Sequence, residues 1–306
     1  MIGLVIASFG NNYIICTQDG INLLATFKGK TNKAVVGDKV NIQITAYSED
    51  KPIQASINSI VPRKNLLYRS DNMKSKAFAS NIDRVLIIVA TEPSFNTMLI
   101  DRAIVACAIE QIKFSIILNK CDLLDKLDAV HHKLAIYKNL GYEVIEISSK
   151  NQQQVNDLFI PFRESNQTCL LMGQSGMGKS SLINSFLPHA QLHTQEISSK
   201  LDSGKHTTTH TKIYPFNHTL NINNHEGYLI DSPGFQLFGL NHLSISQIMH
   251  NFAEFKPYIG KCKFHNCIHR YEPNCAILKA VEDKEILGLR MNSYYNLIDE
   301  NKVKAY

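Results

Sequence analysis

The chain has 306 residues, 44% apolar and 19% charged, a globular balance that excludes a disordered, collagen-like or coiled-coil chain. Its net charge of +5 is uneven: residues 1–70 hold 8 Lys/Arg against 4 Asp/Glu, residues 71–239 hold 15 against 16, and residues 240–306 hold 9 against 7. Two basic ends make nucleic acid a candidate partner, while apolar runs such as Val85 to Ala90 fall far short of the ~18–20 residues that span a bilayer. The apolar start, Met1 to Ala7, lacks the basic opening of a signal peptide. Four of the seven cysteines (Cys16, Cys107, Cys121, Cys169) are scattered and make no disulfide framework. A soluble cytoplasmic protein with reduced thiols and no membrane partner is expected.

From residue 1 to about 70, short runs of alternating polarity (Leu4 to Ile6, Tyr13 to Cys16, Asn22 to Ala25, Asp38 to Ile44, Ser56 to Ile60) are separated by turns such as Asp19-Gly20 and Gly37-Asp38. Five period-two strands predict a small barrel; an OB fold fits, and an SH3-like barrel would read much the same. From about residue 81 strands and helices alternate. Strands are predicted at Arg84 to Thr91, Lys113 to Leu118, Glu143 to Ile147, Thr168 to Met172 and Gly227 to Ile230. Helices are predicted at Met98 to Glu110, Asp125 to Leu140, Val155 to Phe162 and Lys179 to Phe186. That rhythm means an α/β domain with a mostly parallel sheet between helices. Residues 240–306 turn helical around a cysteine cluster. The division is a barrel over 1–70, an α/β domain over 71–239 and a helical metal-binding module over 240–306.

Gly173-Gln174-Ser175-Gly176-Met177-Gly178-Lys179-Ser180 matches GxxxxGK[ST] between a buried strand and a helix. Its glycines let the backbone wrap a phosphate, and the N–H groups at the helix start attract anionic oxygens. Lys179 is placed to reach the β- and γ-phosphates and Ser180 to bind Mg²⁺, with Ser181 beside it. Downstream, Asp231-Ser232-Pro233-Gly234 ends a strand as DxxG: Asp231 can hold the Mg²⁺ shell through water, and Gly234 can offer its N–H to the γ-phosphate.

Asn119-Lys120-Cys121-Asp122 follows a strand and fits NKxD. A carboxylate there accepts from the ring N–H and exocyclic amine of guanine, which adenine cannot offer together. Leaving such an acceptor unpaired can reject the wrong base by a factor on the order of 10⁴–10⁵. The Lys120 stem would lie along the base, Asn119 would tie this loop to the phosphate loop, and Ser148-Ser149-Lys150 would close over the guanine oxygen. At the C-terminal end, Cys262, Cys267, Cys275 and one histidine fall within 14 residues, a Cys₃His set suited to closed, structural zinc. His269 and His265 both compete as the fourth ligand. Lys279, Lys284 and Arg290, on a predicted helical stretch from Cys275 to Leu297, either contact RNA or form a solvated face.

In Ras-like GTPases the phosphate loop precedes the base motif; here the base motif comes first. The chain thus resembles the circularly permuted GTPases, and its flanking barrel and cysteine module narrow the resemblance to the ribosome small-subunit-dependent, RsgA-type family over nearly the whole length. The resemblance favours His269 over His265. It implies GTP/GDP and Mg²⁺, one structural Zn²⁺, and docking on the small ribosomal subunit and its rRNA late in maturation; a monomer is expected, though the sequence does not itself fix the oligomeric state. Hydrolysis would release the protein together with an assembly factor. Gly204-Lys205-His206-Thr207-Thr208-Thr209 is similar to a family segment in which a Thr binds Mg²⁺ and the γ-phosphate. Thr208 is the chosen catalytic candidate, with Thr207 and Thr209 open, and His206 is the candidate for orienting water beside Lys179. Phe235 stands where many GTPases have a water-orienting Gln, with Gln236 one place late, so slow intrinsic hydrolysis is expected. Two other readings remain: a permuted GTPase serving another RNA or protein complex, and an RNA-binding protein in which GTP only stabilises the fold.

Overall fold

The structure is a computed structural model that describes residues 1–28, 33–49, 51–71, 74–188, 211–216, 227–232 and 238–302. Five strands, β1 (Ile2–Phe9), β2 (Asn12–Thr17), β3 (Asn22–Phe27), β4 (Lys39–Ser48) and β5 (Lys51–Ile60), close in the order β1-β2-β3-β5-β4. The β3–β5 pair is parallel and the others are antiparallel, the Greek-key closure expected of an OB barrel. Val5, Ile15, Leu23, Val40, Ile42 and Ile57 fill its interior. Leu4, Ile6, Ile14 and Cys16 point the other way, yet they are buried in the core of the adjoining α/β domain. Both faces of β1 and β2 are therefore apolar, because one packs inward and the other carries a neighbouring domain.

Next comes a hairpin, β6 (Leu66–Asp71) and β7 (Lys74–Ser80), which a boundary at 70 cuts through. The hairpin is fixed to the barrel through Asp38, which is fully buried. Its carboxylate accepts from Arg63 Nε (2.7 Å) and Nη2 (2.8 Å), from Ser80 Oγ (2.6 Å) and from the Val35 N–H (2.8 Å). A buried carboxylate so surrounded has all its lone pairs occupied.

The α/β sheet has the order β10-β9-β8-β11-β13-β12. Its strands are β8 (Arg84–Ala90), β9 (Lys113–Asn119), β10 (Glu143–Glu146), β11 (Cys169–Met172), β12 (Lys212–Pro215) and β13 (Tyr228–Asp231). All pairings are parallel except β12–β13. The helices are α1 (Thr97–Ile109), α2 (Leu127–Asn139), α3 (Gln152–Glu164) and α4 (Lys179–Phe186). Helix α3 begins three residues before the apolar pattern does, because the Asn151 side chain accepts from the Gln153 and Gln154 N–H groups and caps it.

The C-terminal module contains α5 (Ile245–His250), with a Ser244/Gln247 capping box, a 3₁₀ segment Ala253–Tyr258, α6 (Ala276–Glu282) and α7 (Gly288–Lys302). The helical stretch expected from Cys275 to Leu297 is present as two helices, α6 and α7. Lys284 takes φ +62°, and the Glu285 N–H turns back to the Ala280 carbonyl (2.8 Å), ending α6 as a left-handed cap does. Arg290 neither faces solvent nor can touch RNA. It is 3% exposed and pairs with Asp101 of α1 and with Glu254 (Nε–Oε1 2.5 Å). Arg102 of α1 pairs with Glu300 of α7, so the module is joined to the α/β domain by two charged contacts from consecutive residues. Among the described residues no helix is long and apolar enough to cross a membrane.

Candidate functional site

The phosphate loop leaves the C-terminal end of β11 beside β8. At Gly173, φ is +157° and a Cβ would stand 2.3 Å from the Ile88 carbonyl oxygen; at Gly178, φ is +91° and a Cβ would stand 2.2 Å from Asn119 Nδ2. Both positions require glycine on two counts, left-handed backbone and close approach of another strand. Met177 is buried, with its side chain in the core, while Gln174, Ser175, Ser180 and Ser181 are partly or fully exposed along the open side.

Asn119 is fully buried and joins three segments. Its Nδ2 donates to the Met177 carbonyl (2.9 Å) and its Oδ1 accepts from the Ser149 N–H (2.9 Å). Lys120 takes φ +62° and its ammonium donates to the carbonyls of Gly176 (2.8 Å) and Glu92 (2.7 Å). Cys121 turns its thiol back to the Leu118 carbonyl (3.2 Å), and burial pushes it up to about 11, so it stays a neutral thiol. The Asp122 carboxylate accepts from Lys150 Nζ (2.7 Å) and Ser148 Oγ (2.8 Å), which hold it below the ordinary carboxylate range. The three motifs therefore converge on one slot although they run in permuted order.

Lys179 lies deep in the loop, 8% exposed, with its ammonium on the carbonyls of Gly173 (2.6 Å) and Gln174 (3.1 Å). Burial lowers its pKa, opposed by the charge of Asp231. Asp231 ends β13 next to β11, and burial raises its carboxyl to about 6 against the pull of Lys179 and Lys212. Its Oδ1 is buried without a hydrogen-bond partner among the described residues. An orphaned carboxylate oxygen beside a phosphate loop is what a hydrated Mg²⁺ would satisfy, so the residues fit that ion. Gly234, Lys205, His206, Thr207, Thr208, Thr209, Phe235 and Gln236 lie outside the described residues.

The second centre is the cysteine cluster. The ligand atoms of Cys262, Cys267, His269 and Cys275 lie within 4.8 Å of one another. His269 Nδ1 is 3.6, 3.3 and 3.2 Å from the sulfurs of Cys262, Cys267 and Cys275, and Cys262 and Cys275 sulfurs are 3.8 Å apart. Tetrahedral zinc with bonds of about 2.0–2.3 Å needs edges of roughly this size. His269 is buried at φ +61°, whereas His265 is exposed and outside the cluster. Burial pushes the Cys267 thiol up to about 12; a divalent cation would offset that penalty by binding the thiolate. Glu272 holds the loop by accepting from the N–H groups of Ile268 (2.8 Å), Arg270 (2.7 Å) and Tyr271 (3.0 Å).

Sequence reasoning missed the loop after β8. Thr91 is 5% exposed and donates its hydroxyl to the Lys120 carbonyl (3.0 Å), and Glu92 supplies the carbonyl that holds the Lys120 ammonium. No local motif marks these residues; their partners stand 28 and 29 positions away. Also missed was a strand-like addition to the hairpin. Phe238 bridges Arg69, the Gly239 N–H bonds the Tyr68 carbonyl (2.8 Å), the Asn241 N–H bonds Ser75 Oγ (3.1 Å), and the His242 ring packs on Tyr68 at 4.2 Å, tilted by 38°. The stretch just past the DxxG loop is thereby fastened to the hairpin that is itself fixed to the barrel.

Comparison with known proteins agrees with this geometry. A family model described as RsgA GTPase matches residues 60–241. The small ribosomal subunit biogenesis GTPase RsgA of Paraburkholderia phymatum is 44% identical, covering 97% of this chain and 91% of its own length. That of Bordetella pertussis is 43% identical, covering 98% and 96%. Among solved structures, YjeQ from Thermotoga maritima superposes with a TM-score of 0.69 at 26% identity, covering 98% of each chain. YloQ, described as a circularly permuted GTPase, superposes at 0.66 and 26% identity, covering 100% of this chain and 96% of its own. On its motif order, its slot and these matches, the chain belongs to the RsgA GTPase family of GTP-hydrolysing enzymes.

Proposed function

We propose that this chain is a GTPase that binds the small ribosomal subunit and its rRNA and acts in late subunit maturation, hydrolysis driving its own release and that of an assembly factor. The observation that carries the reading is Asn119, which braces a guanine-type loop against a phosphate loop in a chain whose curated relatives are named small ribosomal subunit biogenesis GTPases. In the slot Asp122 reads the guanine edge, Lys120 lies along the base, and Lys179 with the N–H groups from Gly173 to Ser181 holds the phosphates. Mg²⁺, held by Ser180 and through water by Asp231, would neutralise developing charge on the phosphates. His206 and Thr208 complete the reading as the water-orienting and Mg²⁺-binding residues, beside Gly234 at the γ-phosphate.

Two basic surfaces support the RNA assignment. Lys28, Lys33, Lys39 and Lys51 are exposed on the barrel with Tyr47, which is 64% exposed. Lys261, Lys263, Lys279 and Lys284 are exposed on the cysteine module. GTP turnover measured with and without purified small subunits tests the proposal. Stimulation by small but not large subunits supports it, and turnover blind to both overturns it in favour of a nucleotide that only stabilises the fold. Stimulation by a different RNA complex would move the site of action but keep the GTPase.

A further inference from the structure

We infer that Thr91, on the loop after β8, is a positioning residue that sets guanine selectivity by fixing Lys120. The inference rests on the guanine reading of the slot. Lys120 sits in the left-handed region at φ +62°, which a lysine adopts only when its surroundings hold it there. Two consecutive residues do so from opposite ends. The Thr91 hydroxyl donates to the Lys120 carbonyl (3.0 Å), and the Glu92 carbonyl accepts from the Lys120 ammonium (2.7 Å). The Thr91 N–H also bonds the Asn119 carbonyl (3.3 Å), continuing the β8–β9 ladder into the motif. Thr91 itself is buried at 5% exposure, with its hydroxyl on the Lys120 carbonyl and its N–H on the Asn119 carbonyl, so its effect on binding passes through the peptides it holds.

The chemistry gives a specific consequence. Asp122 stands two residues beyond Lys120 and is the group that would accept from the guanine N1–H and exocyclic amine. Without the Thr91 hydroxyl, the Lys120 carbonyl keeps the N–H of Leu123, within its own turn (3.0 Å), but loses its side-chain tie to the loop after β8, so the turn can shift against that loop. The aim of Asp122 then loosens, while the phosphate loop, which Lys120 reaches through its ammonium at Gly176 (2.8 Å), keeps its second brace from Asn119 at the Met177 carbonyl (2.9 Å). The variant should thus lose discrimination at the base more than grip on the phosphates.

The experiment compares GDP and inosine diphosphate, which lacks the exocyclic amine, by titration against the wild type, Thr91→Val and Thr91→Ser. Wild-type protein that ignores GDP would overturn the guanine reading itself, and the inference with it. With wild-type binding established, Thr91→Val is expected to weaken GDP about tenfold, as loss of one buried hydrogen bond implies, and to narrow the GDP-over-inosine-diphosphate ratio. Thr91→Ser, which keeps the hydroxyl, is expected to restore both. An unchanged ratio in Thr91→Val, or Thr91→Ser as impaired as Thr91→Val, would overturn the inference. Urea unfolding of each nucleotide-free variant separates lost aim from lost fold; if the valine variant does not fold, Thr91→Ala is read in the same way.

Discussion

Gly178 and Asn119 are in such close approach that the glycine has no room for a methyl group: a Cβ would come within 2.2 Å of the asparagine Nδ2, which is donating to the Met177 carbonyl at 2.9 Å. The phosphate and base halves of the slot touch at this point, so a residue in one half reports on the other.

Gly178→Ala should therefore damage the slot more than Gly176→Ala. Both glycines have positive φ, +91° and +81°, and each alanine carries a backbone cost of about 1–2 kcal/mol. Only at 178 does the added carbon also displace Asn119; at 176 it meets Pro93 at an ordinary 3.4 Å. Fluorescent GDP titration should show the larger loss, at least about tenfold, for Gly178→Ala, since displacing a buried hydrogen bond adds about 1–3 kcal/mol. Equal losses would mean that strain alone sets the effect.

Removing the metal should loosen the C-terminal module. Cys275 is both a cluster member and the N-cap of α6, its sulfur accepting from the Leu278 N–H (3.4 Å). Elemental analysis is expected to find one zinc per wild-type chain, none in Cys275→Ser or His269→Ala, and a full complement in His265→Ala. EDTA should lower the unfolding temperature of the wild type and of His265→Ala but leave that of Cys275→Ser unmoved. Zinc lost from His265→Ala would redraw the ligand set.

Arg290→Ala should be severe although Arg290 belongs to neither the slot nor the cysteine cluster. It would strand Asp101 and Glu254, whose side chains are 1% and 6% exposed, without their cation. Burial already pushes Asp101 upward, against the charge of Arg290 and the hydroxyls of Ser293 and Tyr137. Breaking a buried pair in this way costs about 3–5 kcal/mol. Arg290→Lys, which restores charge but not the forked geometry, should recover part of it. Urea midpoints order the three proteins; an alanine variant within error of the wild type would show that water reaches the network.

The fastening of residues 238–242 to the hairpin should weaken in acid. Burial holds the His242 imidazole below its usual 6.5, against the upward pull of Glu110. A folded state that prefers the neutral ring keeps that stability above about pH 6.5 and loses it as pH falls from there toward the depressed folded value. Protection of the Gly239 amide, bonded to the Tyr68 carbonyl at 2.8 Å, should fall between pH 7 and pH 5 once intrinsic exchange is divided out. His242→Phe keeps a ring on Tyr68 and should flatten the dependence. An equal slope in that variant would assign the effect to another group.

The chemistry-bearing loops were legible because each is a contiguous run whose spacing is dictated by what it grips. GxxxxGK[ST], NKxD and the cysteine spacing each carry their geometry within a few residues, and Lys179–Phe186 matches the predicted helix to the residue. What escaped depends on partners distant in sequence. Arg290 reads as one more basic residue on a helix; only Asp101, 189 positions away, makes it a buried one. Thr91 reads as the end of an apolar strand until Lys120 is seen above it. The β6–β7 hairpin lacked a signal because its alternation is interrupted by a register shift between Leu67 and Tyr68. The edge strand β12, only four residues long, is too short for periodicity to show.

The sheet order β10-β9-β8-β11-β13-β12 has a consequence for biosynthesis. The three strands and three helices that build the base-reading half occupy one unbroken stretch, Arg84–Ala90 through Gln152–Glu164, ahead of everything that touches phosphate. A nascent polypeptide can lay down that half as a self-contained parallel unit while the rest is still being translated. The remaining strands then add at the open side of β8, beginning with β11, so the contact of Asn119 with the Met177 carbonyl that joins the two halves forms only after residue 177 has been made.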